Sequence, residues 1–134
     1  MDIERATYFS IKTADRSGEL ARFTKRMSEH GVNLGGVWAF GVGRGSAEII
    51  AIPRDVPAFK RALLGAGWVV QEGACFHLSG DDRAGALADT LDRIAQEDVN
   101  LQAVDAMGIS GRYSAYVWCE EKDMEKLRKI LKGW

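Results

Sequence analysis

The sequence predicts an α+β protein: two ferredoxin-like β-α-β-β-α-β repeats, each an antiparallel sheet with its helices on one face. Three observations carry this. The 134-residue chain writes one stretch twice, "DRSGELARFTKRMSEHGVNL" at 15–34 and "DRAGALADTLDRIAQEDVNL" at 82–101. Asp15, Arg16, Gly18, Leu20, Ala21, Arg26, Val32, Asn33 and Leu34 each recur 67 positions later, which is half the chain. Outside that stretch the register holds, with Phe9 on Phe76, Val37 on Val104, Ala39 on Ala106, Gly41 on Gly108, Arg61 on Arg128 and Leu64 on Leu131. Finally, both copies run through period-2 and period-3.6 segments in one order. A solenoid needs at least three shorter units to bury a continuous core. Two units of this length are instead two small domains, 1–72 and 73–134, each marginal alone.

In the first copy "ATYFSIKTA" alternates, with Phe9 and Ile11 on one face and Tyr8, Ser10 and Lys12 on the other, as a strand does. A helix follows, with Ser17 as its N-cap and Leu20, Phe23, Thr24 and Met27 as its stripe. Gly31 ends it at the C′ position. "VNLGGVWAFGV" and "SAEIIAI" read as two strands joined by a hairpin turn at "GRG". Asp55 caps a second helix over 56–64, and "WVVQE" is a fourth strand. The second copy repeats this with "ACFHLS", a helix over 85–96, "VNLQAVDAMGI", "YSAYVWC" and a helix over 123–131. It then reaches Gly133-Trp134, where the first copy has Gly67-Trp68 opening its fourth strand, so most of the last strand is expected to be lacking. The β-α-β-β-α-β order folds as a sheet of order 4-1-3-2.

Composition narrows the function. Apolar residues make up 46% and charged residues 28%, as in an ordinary globular protein. A net charge of −1 without a basic stripe argues against a nucleic-acid surface. The apolar runs fall well short of a membrane span. "MDIERATYF" is no secretory signal, and Cys75 and Cys119, the only cysteines, read as reduced thiols, so a cytoplasmic location is expected.

Gly18 and Gly85 stand where the first strand of each copy turns into a helix. A helix N-terminus has unpaired N–H donors and partial positive charge, which suits a carboxylate. A glycine there lets a ligand approach the backbone. Capping and a tight turn explain the same residues without a ligand, and Val-Asn-Leu is equally a helix-to-strand turn. Asn33 and Asn100 open the second strands, at the far end of the helix from the glycine. Within one copy the two do not converge, which places any shared ligand between domains.

These stretches resemble the ACT domains, small regulatory modules that bind amino acids and control enzymes of amino-acid metabolism. The resemblance rests on "DRSGEL" and "DRAGAL" after the first strand, on "GVNL" and "DVNL" opening the second, and on the element order. It covers both halves and implies a free-standing tandem ACT protein, a regulator and not an enzyme. The implied ligand residues are Asp15, Arg16, Ser17, Gly18, Glu19 and Leu20 with Asn33 and Leu34. In the other copy they are Asp82, Arg83, Ala84, Gly85, Ala86 and Leu87 with Asn100 and Leu101. The expected partners are a free amino acid, sensed at an inter-domain site, and an enzyme of amino-acid metabolism. Trp38, Leu34 and Leu101 lean towards an apolar ligand side chain. The alternative is a ligand-free module docking on such an enzyme. No cofactor or metal is expected.

Rival motifs are weaker. "GVGRG" at 41–45 joins two strands, whereas a phosphate loop must open a helix. Cys75, His77 and Cys119 lack close metal-ligand spacing, and small buried thiols suffice. Trp38, Tyr116 and Trp118 supply aromatics for an RNA-recognition sheet, without its basic surround. Glu72-Gly73 between copies suits a tight hairpin, which would set the first copy's fourth strand beside the second copy's first; the alternative is a kink in one long strand. The second strands, 32–42 and 99–109, then become edges. Tyr8, Ile50, Val117, Cys75 and Cys119 are expected on an apolar non-helix face. Edge and face together predict a homo-oligomer, in the first instance a homodimer.

Overall fold

The computed structural model describes residues 1–133. Its elements are β1 (Asp2–Ala14), α1 (Glu19–Glu29), β2 (Leu34–Gly43), β3 (Ser46–Pro53), α2 (Val56–Leu63), β4 (Val69–Asp81), α3 (Ala86–Gln96), β5 (Leu101–Ile109), β6 (Arg112–Cys119) and α4 (Met124–Lys132). The strand pairs β1–β3, β2–β3, β4–β6 and β5–β6 are antiparallel. The architecture is therefore α+β, with six strands and four α-helices among the described residues. Two compact units divide the chain: Thr7–Gly73, and Met1–Ala6 together with everything from Ala74 onward.

In the unit Thr7–Gly73 the strand order is β2-β3-β1-β4. This is the order 4-1-3-2 that the element pattern predicts. Phe9 and Ile11 of β1, Ile49 and Ala51 of β3, Phe23 and Met27 of α1, and Phe59 and Ala62 of α2 form one buried cluster. The alternation read in "ATYFSIKTA" is what sends Phe9 and Ile11 under the helices. Phe59 meets Phe9 at 4.6 Å and Phe23 at 6.2 Å between ring centroids.

The other unit carries the order β1-β4-β6-β5, with Asp2–Ala6 supplying its β1. Here β4, β5 and β6 are the first, second and third strands of the second copy. The place of its fourth strand is thus held by the N-terminal segment. Ile3 packs on this unit's core, Asp2 pairs with Arg112 at 3.5 Å, and Thr90 Oγ1 meets Met1 Sδ at 3.7 Å. The core consists of Phe76 and Leu78 of β4, Ile94 of α3, Ala115 and Val117 of β6, and Leu127, Ile130 and Leu131 of α4.

Several sequence expectations change. Ser17 does not cap α1: the N-cap is Gly18, which makes no side-chain cap bond. Glu72-Gly73 is no hairpin, because β4 runs unbroken from Val69 to Asp81. Gly73 has another reason: a Cβ there would lie 2.7 Å from Tyr8 Cε1, so the glycine makes room for a ring on the neighbouring strand. Val117 and Cys119 do not belong to a non-helix face; both join the core under α4, where Cys119 Sγ contacts Met124 Sδ at 3.5 Å.

Other expectations hold with their mechanism visible. Gly31 follows the C-cap of α1 with φ +66°. Val32 N–H donates to Met27 C=O at 2.9 Å and Gly31 N–H to Ser28 C=O at 3.1 Å, a Schellman motif. The second copy closes alike, through Val99 to Ile94 at 3.3 Å and Asp98 to Ala95 at 3.0 Å. Val32 and Val99 are the buried residues that seal these ends. The repeated arginines serve the helix pairs: Arg26 donates to Ala62 and Leu64 carbonyls at the end of α2, and Arg93 to Gly133 C=O at the end of α4. Both β-hairpins turn through positive φ, at Arg44-Gly45 and at Ser110-Gly111, as two-residue turns require.

Candidate functional site

The two Asp-Arg-x-Gly segments are the loops from β1 to α1 and from β4 to α3. Each is tied to a hairpin of its own unit. Asp15 N–H donates to Gly45 C=O at 2.8 Å, and Asp82 N–H to Gly111 C=O at 3.0 Å. Gly18 has φ +91° and Gly85 φ +85°, both left-handed. That conformation costs an L residue about 1–2 kcal/mol. A Cβ on Gly18 would meet nothing within 4 Å, so backbone geometry rather than crowding asks for glycine there.

Beside each loop lies a hollow. The one in the unit Thr7–Gly73 measures about 180 Å³ and is lined by Asp15, Arg16, Glu19 and Leu20 from the loop and helix, and by Ala39, Phe40 and Gly41 from β2. Its counterpart measures about 290 Å³ and is lined by Asp82, Arg83, Gly85, Ala86 and Leu87 with Ala106, Met107 and Gly108 of β5, and by Tyr113 of β6. Seven lining positions correspond across the repeat: Asp15/Asp82, Arg16/Arg83, Glu19/Ala86, Leu20/Leu87, Ala39/Ala106, Phe40/Met107 and Gly41/Gly108. The β2 and β5 lining residues lie outside the set that the sequence motifs single out, although Ala39/Ala106 and Gly41/Gly108 recur in the sequence. Their role is steric: a Cβ on Gly41 would lie 2.6 Å from Asp15 Oδ2, and one on Gly108 2.8 Å from Asp82 Oδ2. The strand glycines thus admit the loop carboxylates.

The polar contents of the two hollows differ. In the first, Arg16 Nε donates to Glu19 Oε1 at 2.8 Å and Arg22 Nη2 to Glu19 Oε2 at 3.3 Å. Glu19 is buried, and the hydrogen bond from Arg16 holds its carboxyl below the ordinary value of 4.5. In the second, Ala86 stands in Glu19's place. Arg83 instead turns to Asp89 at 3.1 Å and to its neighbour Ala84 C=O at 3.3 Å. The Arg83–Asp89 pair is more than half exposed on both sides, where such pairs contribute little.

Ser17 and Ala84 are exposed loop residues outside both linings. Asn33 and Asn100 are exposed beyond the Schellman ends, and Leu34 and Leu101 are half-buried. None of these four lines either hollow, in keeping with their expected separation from the glycine loops within one copy.

Trp118 is buried, Trp38 is half-buried, and Tyr116 lies against His77 in a tilted arrangement with ring centroids 4.7 Å apart. Cys75 and Cys119 are buried free thiols, with burial pushing Cys75 up to about 12. His77 shares a 2.6 Å hydrogen bond with Ser114 Oγ, and burial lowers its pKa. Among the described residues no three His, Cys, Asp or Glu side chains gather to hold a metal. No described helix is long and apolar enough to cross a membrane.

No family model and no curated protein sequence matches this chain. Solved structures do. Protein BT0572 from Bacteroides thetaiotaomicron superposes with a TM-score of 0.88 at 20% identity, covering 98% of this chain and 89% of that one. The ligand-free regulatory subunit of aspartate kinase from Thermus thermophilus gives 0.68 at 15% identity, covering 98% and 94%. The regulatory subunit of aspartate kinase from Thermus flavus gives 0.60 at 16% identity, covering 98% and 93%. At such identities the likeness is one of fold: the chain has the ACT-like fold that the repeated motifs lead one to expect.

Proposed function

We propose that this protein is an amino-acid-binding regulator and not an enzyme, which senses a free amino acid at its Asp-Arg-x-Gly loops and responds by changing its self-association or its hold on a partner. The observation that carries this reading is the pair of repeat-equivalent hollows. Each brings a carboxylate, a guanidinium, a helix N-terminus and an apolar wall together. A zwitterion needs those elements: a cation and N–H donors for its carboxylate, an anion for its ammonium, and apolar surface for its side chain. Leu87 and Met107 suit an apolar or aliphatic side chain. The fold shared with regulatory subunits of aspartate kinase supports a regulator of an enzyme of amino-acid metabolism.

A homodimer is part of the proposal. The edge strands β2 and β5 expose apolar side chains at matching repeat positions: Val37, Phe40 and Val42, and Val104, Met107 and Ile109. Bare apolar edges invite another strand. The same observation favours a second reading, a ligand-free module whose edge docks on an enzyme.

Thermal unfolding against the common amino acids separates the two. A ligand at a hundredfold excess over its Kd stabilises by about 2.7 kcal/mol. At least one amino acid is expected to raise Tm. No shift with any of them at millimolar concentration contradicts the leading reading and leaves the docking module. Light scattering tests assembly, and a clean monomer near 14.7 kDa with and without ligand contradicts the dimer.

A further inference from the structure

The two hollows are built on one plan, yet one of them already holds a carboxylate. Glu19 is buried against the loop, with Arg16 at 2.8 Å on one oxygen and Arg22 at 3.3 Å on the other. Two cations on a single acid, in a hollow of about 180 Å³, reproduce what a bound ligand carboxylate would find. At the equivalent position the second copy has Ala86, the hollow widens to about 290 Å³, and Arg83 keeps only the solvent-exposed Asp89 as an ionic partner among the described residues. Tyr113 also lines that hollow.

We infer that Glu19 is a built-in carboxylate ligand that fills the first site, so that only the second site, at Asp82, Arg83 and Gly85, takes a carboxylate from solution. A ligand at the first site has to displace an intramolecular acid that is always present at high effective concentration. One at the second site has only to draw Arg83 from an exposed pair, the kind that holds its partners weakly. The chain is therefore a one-site sensor carried on a two-copy scaffold. This deepens the amino-acid reading above and rests on it for the identity of the natural ligand, but the occupancy pattern is testable without that ligand.

The probe is acetate, titrated into 15N-labelled protein while the backbone amides of both loops are followed. In the wild type, the Gly85–Ala86 amides are expected to shift saturably and the Gly18–Glu19 amides to stay still. Glu19→Ala empties the first site, and both loops should then respond. Ala86→Glu supplies the second loop with its own acid, and its response should be lost. The dispersed spectrum reports whether each variant is folded; should Ala86→Glu fail to fold, the Glu19→Ala comparison decides alone. Equal response of both loops in the wild type, a silent first loop in Glu19→Ala, or no response by any loop in any protein would each overturn the inference. If the acetate pattern holds while no amino acid raises Tm, the amino-acid reading fails and this one stands.

Discussion

The loop before α1 and the loop before α3 share Asp, Arg and Gly and one backbone shape, but differ at the next residue, Glu19 against Ala86. Comparing them separates two kinds of repetition. Gly18 and Gly85 recur because both need left-handed φ, and Gly41 and Gly108 because both leave space for an aspartate. Those residues maintain the scaffold in each copy. One place where the copies part, Glu19 against Ala86, changes what the hollow contains. A second divergence lies deeper, where Phe23 in one unit corresponds to Thr90 in the other. Phe23 is wholly buried among Phe59 and Trp68. Thr90 is also buried, but it sits beside Met1 on a further hollow of about 250 Å³ that reaches Asp81, Arg83 and Tyr113.

The largest effect that would sharpen this comparison is at that pair. Phe23→Ala removes a ring from a packed cluster and should cost about 3–5 kcal/mol in urea unfolding. Thr90→Ala should cost about 1 kcal/mol, since little packing is lost next to a hollow. Equal losses would mean that the two cores are packed alike.

Next come the loop glycines. Gly18→Val and Gly85→Val should each cost about 1–3 kcal/mol through backbone strain. Only Gly85→Val is expected to abolish the ligand-induced rise in Tm. If Gly18→Val abolishes it as well, the sites are not unequal.

Smaller effects, about 1 kcal/mol each and alike in the two copies, are expected for Gly41→Ala and Gly108→Ala. The added methyl meets the end of a movable aspartate side chain rather than backbone, so the carboxylate swings aside. Urea midpoints of the two variants check this.

The smallest effect is on pH dependence. The folded-state pKa of Glu19 is depressed, chiefly by the hydrogen bond from Arg16. Its stabilisation is therefore present above its ordinary value of 4.5 and lost as pH falls through the lower folded value. Glu19→Gln should flatten the stability profile below pH 4.5 and leave its slope near neutrality unchanged. An unaltered acid limb would show that Glu19 is not held as an anion.

Much of the fold was legible because its signals are local. Period-2 alternation identified the face of β1 that carries Phe9 and Ile11, and a glycine after a helical stripe identified the end of α1 at Gly31. What escaped depends on partners distant in sequence. "DIERA" shows little alternation, so nothing local marks Asp2–Ala6 as a strand; it is ordered by pairing with β4 and by Ile3 on the core of the unit to which it belongs. Glu72-Gly73 has the composition of a turn, but its glycine answers to Tyr8 on a neighbouring strand. Ser17 is a good cap by residue type, and the helix starts from Gly18 because the loop there needs positive φ.

The loops of the candidate site stand out in the sequence because Asp, Arg and Gly recur in register. The opposite walls, Ala39 to Gly41 and Ala106 to Gly108, recur too, but in a strand reading their small side chains carry no chemical message. Only the closeness of a strand glycine to a loop carboxylate reveals why they are small.

The most direct test of the account is a crystal structure with the amino acid that gives the largest rise in Tm. The account predicts one ligand in each chain, its carboxylate on Arg83 and the N-terminus of α3, its ammonium towards Asp82 and its side chain against Leu87 and Met107, with Glu19 still bound to Arg16. A ligand lying on Arg16 with Glu19 displaced, or one bound away from both loops, would contradict it.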